Sequence, residues 1–206
     1  MTTLFKTSFS ERPERRFSVD EYLRMVSAGI LTKRDQVELI DGRIVEKMPT
    51  DPPHILAFEL VAELLRSVCP HGWIVRVDAP LKLEQSAPEP DAMVIRGPRE
   101  QYGERHPGPL DALLIVEVAD STLAEDRNDM AQLYAEAAIP VYWILNLRNR
   151  RLEVHSEPSG PDAFPSYHRK VDIEEGKTVM LQFPEGTREL AVADMLPRKS
   201  AASKRV

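Results

Sequence analysis

The run Ala112-Leu113-Leu114-Ile115-Val116-Glu117-Val118 constrains this chain more than any other segment. It is apolar at every position except Glu117. A strand with one wet face alternates, whereas an unbroken apolar run predicts a strand covered on both faces at the centre of a sheet. Val141-Tyr142-Trp143-Ile144-Leu145 reads the same way. Between the two, residues 126–138 predict a helix, with Met130, Leu133, Tyr134 and Ala137 turned inward. Arg151–His155 alternates and should return along the second run as a hairpin.

The remaining elements fit around this centre. Ser18 followed by Glu21 forms a capping box that opens a helix, and Gly29 closes it. Two β-rich runs flank Asp41-Gly42, a strong hairpin signal. Residues 54–68 space Ile55, Phe58, Val61, Leu65 and Val68 as one buried helical face. Strands are predicted at Trp73–Val77, Leu81–Leu83 and Ala92–Ile95, then a long mobile loop over 97–111, rich in Gly and Pro. Short antiparallel strands follow around Tyr167, Val171, Val179 and Leu181. With so few crossover helices, the fold class is α/β (α+β): a mixed sheet flanked by helices rather than a doubly wound parallel sheet.

At 206 residues the chain suits one domain. The expected body is 17–196, between a flexible N-terminal tail (1–16) and a basic C-terminal tail (197–206). The last nine residues hold Arg198, Lys199, Lys204 and Arg205 and no acid, so the body is more acidic than the net charge of −6 suggests. That balance excludes a protein-wide basic surface but leaves room for a local basic patch. A lone Cys69 excludes a disulfide framework and favours a packed thiol and a cytoplasmic home. Nothing approaches the ~18 to 20 apolar residues needed to cross a bilayer, and the first residues do not read as a secretory signal.

Phosphate-loop, dinucleotide and nucleophile-elbow motifs are absent from the sequence, and the five histidines lack zinc-site spacing. What stands out is acids in apolar surroundings. Glu117 interrupts the central run, Asp91 leads into Ala92–Ile95, and Glu38 lies between Val37 and Leu39. A buried carboxylate is costly unless paired or bound to a cation. Three from three strands would repel one another unless a divalent ion held them, and hard oxygen ligands suit Mg²⁺ or Mn²⁺. Each also has a structural reading: Glu38 as an outward hairpin residue, Asp91 as a turn residue, Glu117 as half of an ion pair.

These segments carry a family resemblance. Glu38-Leu39-Ile40-Asp41-Gly42, Pro53-His54, Pro90-Asp91-Ala92-Met93-Val94, Leu114–Leu123, Asp126-Arg127 and Tyr134–Leu147 occur in order over about residues 17–190. Together they resemble the Uma family of restriction endonucleases, within the PD-(D/E)XK nuclease superfamily. The resemblance implies a restriction-endonuclease-like fold, a Mg²⁺-dependent endonuclease acting on DNA, and a homodimer. It implies Asp91 and Glu117 as metal-binding catalytic acids, Glu38 as the supporting acid and His54 as a possible neighbour. The sequence departs from the pattern at one place. The position where the resemblance implies a lysine is Met130, which can neither orient a water nor offset charge; Arg127, one turn earlier, could offset charge but not act as a base. The second reading is therefore a degenerate member that binds nucleic acid or forms dimers without cutting.

Overall fold

The computed structural model describes residues 13–198. Its centre is a six-stranded sheet of β3 (Trp73–Val77), β4 (Ala92–Arg96), β5 (Ala112–Ala119), β6 (Val141–Asn146), β7 (Arg151–Pro158) and β8 (Tyr167–Glu174), in that spatial order. β5 and β6 are parallel and the other neighbours antiparallel, so the sheet is mixed. The parallel pair is the one joined by a helical crossover, as its geometry requires. The two runs with unbroken apolar sequence are the two central strands.

Each face of the sheet has its own cover. Leu114, Val116 and Val118 of β5 pack with Ala57, Val61 and Leu65 of α2 (Pro52–Val68) and with the separate hairpin of β9 (Thr178–Phe183) and β10 (Gly186–Ala191). Ile115 and Ala119, on the opposite pleat, pack with Met130, Ala131 and Tyr134 of the crossover. Glu117 shares the pleat of Ile115 and Ala119 and so faces the crossover. α1 (Val19–Ser27) buries Val19 and Tyr22 beside the hairpin of β1 (Val37–Ile40) and β2 (Arg43–Glu46). The Ser18–Glu21 capping box forms as expected, with Ser18 N–H donating to Glu21 at 2.9 Å.

The crossover is composite. α3 (Leu123–Glu125) and α4 (Ala131–Glu136) flank a π turn over Asp126–Met130. Hence the helix starts three residues before the expected 126.

Two expectations need revision. Leu81 and Leu83 are buried, but in a coil rather than a strand. Prolines at 80, 88 and 90 limit strand pairing there, and Leu83 N–H instead donates to Ser86 O at 2.9 Å across a tight turn. The 97–111 connection is tied down: buried Tyr102 donates to Arg96 O at 2.7 Å, and Arg105 forks onto Asp111 at 2.6 and 3.0 Å. The expected tails lie outside the described residues except for 13–16 and 197–198, and Arg15 there pairs with Glu21 at 2.7 Å.

Candidate metal centre

The antiparallel register sets Ala92 opposite Val116 and Met93 opposite Ile115. One step further along brings Asp91 across from Glu117, where cross-strand neighbours share a face. The two are interlocked. Asp91 N–H donates to Glu117 Oε2 at 3.2 Å, and Val118 N–H donates to Asp91 Oδ2 at 2.7 Å. Glu38, Asp91, Glu117, His54 and Met130 line one cavity of about 100 Å³. Glu38 points inward rather than to solvent, accepting from Glu89 N–H at 3.0 Å.

Side chains around the pair fix it. His54 stands in the first turn of α2, whose N-cap Asp51 accepts from His54 N–H at 3.1 Å. Its Nε2 is 3.2 Å from Asp91 Oδ2. Burial opposes a charge on that ring, but the hydrogen bond to Asp91 and the nearby carboxylates outweigh it and raise its pKa. Tyr134 of α4 donates to Glu117 Oε1 at 2.8 Å.

Lys47, Glu89 and Asp126 are among the residues lining the cavity that the sequence did not single out for the site. Asp126 was visible only as part of an Asp-Arg pair. The π turn directs it inward, where it is 6% exposed and accepts from Thr122 Oγ1 at 2.7 Å. π turns recur at functional sites because they re-aim side chains within a helix. Lys47 follows β2 directly, and its Nζ lies 3.1 Å from both Glu89 and Asp78. Burial works against its charge, but Glu89 and Asp78 overcome that and raise its pKa, so the ammonium stays charged. No periodicity announces such a residue, because its place depends on where the hairpin docks.

Arg127 does not join this cavity. Its Nε donates to Glu153 at 2.9 Å and its Nη2 also bonds that carboxylate. Adjacent positions on the turn diverge, so Asp126 and Arg127 serve different sides. Met130 is in the cavity, 7% exposed, and brings no charge.

The electrostatics are those of crowded acids. Burial, then the charges of Asp91 and Asp126, push the Glu117 carboxyl well up. Burial chiefly, with Asp91 and Glu125, pushes Asp126 up to about 7, against the hydrogen bond from Thr122. Glu38 is raised as well, first by burial. Such a site favours protons or another cation. Among the described residues no three His, Cys, Asp or Glu side chains converge as a ready-made metal cage. Mg²⁺ does not need one, since it is commonly held by one or two carboxylates, waters and substrate phosphate oxygens. Asp91 and Glu117 supply that kind of donor set.

The sequence model of the Uma2 family, described as "Putative restriction endonuclease", matches residues 19–193. The chain belongs to the Uma2 family. Among solved structures, it is similar to a crystal structure from Anabaena variabilis titled as a putative nuclease belonging to DUF820. That match has a TM-score of 0.63 and 15% identity, and covers 87% of this chain and 97% of the other. At that identity the likeness speaks for the fold alone. No curated protein matches this Uma2 chain. No helix among the described residues is long and apolar enough to cross a membrane.

Proposed function

We propose that this Uma2 protein is a Mg²⁺- or Mn²⁺-dependent endonuclease that hydrolyses DNA phosphodiester bonds. The observation that carries the reading is the interlocked Asp91–Glu117 pair on one cavity wall, with Glu38 and Asp126 beside it. Asp91 and Glu117 would hold the ion, with Glu38 in support. When bound, the ion supplies Lewis-acid chemistry, making a water nucleophilic at neutral pH and absorbing charge on the phosphate. His54 and the Val118 N–H orient the Asp91 carboxylate, and Tyr134 orients Glu117. Lys47 adds a fixed positive charge on the wall nearest Glu89. A cation so placed offsets charge that builds on the phosphate. Being held protonated, it acts as a charge and not as a base.

Plasmid cleavage with Mg²⁺ or Mn²⁺ tests this. Wild type should nick or linearise the plasmid, and Asp91→Ala and Glu117→Ala should not. Equal cleavage by all three would end the proposal.

Met130 favours a second reading, a degenerate nuclease that binds nucleic acid without cutting. DNA binding with no cleavage under either ion would select it. A homodimer and a cytoplasmic home accompany the first reading, and sedimentation would check the former.

A further inference from the structure

We propose that a second cavity, between the α3–α4 crossover and strands β7 and β8, is a binding site for a phosphate group. It holds about 370 Å³ and is lined by Arg127, Gln132, His155, Ser166 and Lys170, among others. None of its lining residues belongs to the acid cavity.

The Glu153 side chain is 0% exposed and binds three partners: Arg127, Lys170 Nζ at 2.7 Å and Asn146 Nδ2 at 3.0 Å. Burial pushes the Glu153 carboxyl up, but those three hydrogen bonds hold it down at about 2. A permanently ionised carboxylate thus fixes two cations side by side at the cavity.

The cations keep donors to spare. Arg127 uses Nε and Nη2 on Glu153, and its Nη1 makes no hydrogen bond among the described residues. Lys170 holds three N–H groups and spends one at close range, with Asp172 only at 4.0 Å. Both side chains remain over a third exposed.

His155 supplies a second, independent sign of a ligand. It is 6% exposed, yet its Nε2 has no hydrogen-bond partner. Burial first, then Lys170, brings its pKa down to about 4, so the ring is neutral at pH 7. A buried nitrogen without a partner is destabilising until one arrives. Two cationic donors beside a neutral imidazole suit the three terminal oxygens of a phosphate group better than a lone carboxylate or an apolar ligand. The phosphate can belong to a free nucleotide or to a nucleic-acid strand. The strand version rests on the nuclease reading, with Asp126 and Arg127 placing the two sites on either side of one helical turn.

The full-length protein is titrated with inorganic phosphate while the imidazole signals are followed by NMR. His155→Phe assigns the ring, and KCl at equal ionic strength is the control. The expected result is a saturable shift with phosphate only, weakened about tenfold in Lys170→Gln, where one charge-assisted contact is lost. No saturable shift in wild type overturns the site. A metal-free DNA duplex is then titrated at several salt concentrations. A salt slope lower by about one in Lys170→Gln, but not in Asp91→Ala, assigns the site to the strand. An unchanged slope with phosphate binding intact assigns it to free phosphate or a nucleotide. Absence of Mg²⁺-dependent cleavage while phosphate still binds removes the nuclease reading and leaves this site standing.

Discussion

Asp126 joins the local turn to the electrostatics of the site. Its carboxyl is raised from an ordinary 3.8 to about 7, so the native state holds its proton more tightly than the unfolded chain. The stability this contributes is fully present below pH ~4 and is lost as pH rises through 7. Urea denaturation of the metal-free protein should therefore show falling stability between pH 4 and 7, and Asp126→Asn should flatten that slope. Glu153 works in the opposite sense: lowered to about 2, its contribution is present above pH ~4.5 and is lost as pH falls through 2. Lys47→Met should cut the cleavage rate about tenfold or more with the fold intact, because a fixed cation would be gone. Met130→Lys should raise the rate, and a plasmid time course reads both. Glu117 was legible as an oddity in an apolar run. The roles of Lys47 and Asp126 were not, because their neighbours arrive from distant segments.

At the scale of elements, the crossover between β5 and β6 decides most. Its π turn gives Asp126 and Met130 to the acid cavity and Arg127 to Glu153 of β7. Arg127 therefore fastens the helix to the sheet. Arg127→Met should destabilise the protein by about 2 kcal/mol, since the buried Glu153 would keep only Lys170 and Asn146. A urea midpoint comparison checks it. The apolar spacing of Met130 and Tyr134 foretold a helix with an inward face, and both are buried. Periodicity carries no mark of a π turn, which shifts the facing by one residue over a single turn. Leu81–Leu83 failed as a strand for a related reason: burial was readable from the leucines, but pairing needs a free neighbouring edge, and prolines at 80, 88 and 90 interrupt it.

For the whole molecule, the excess of acids and the candidate site are connected. The chain carries six more acids than bases, and several of its acids gather at one cavity. A divalent ion bound there should stabilise the native state in proportion to occupancy. Mn²⁺ should raise the melting temperature at pH 8, and less at pH 5, where protons compete for Glu117 and Asp126. Asp91→Ala should abolish most of the shift. Thermal unfolding at the two pH values measures both effects.

The amino-acid order by itself determined the two central strands, the capped and amphipathic helices, the Asp41-Gly42 hairpin and the family. Each of those rests on neighbours a few residues apart, where apolar spacing and turn chemistry act directly. The tertiary structure decided which acids share a cavity, that Arg127 leaves it, that Lys47 enters it, and that Arg127, His155 and Lys170 line a second cavity. Those outcomes depend on register, on the docking of the β1–β2 hairpin and on one π turn. Charges brought together from segments as distant in sequence as Glu38 and Asp126 acquire their chemistry only after the chain has closed around them.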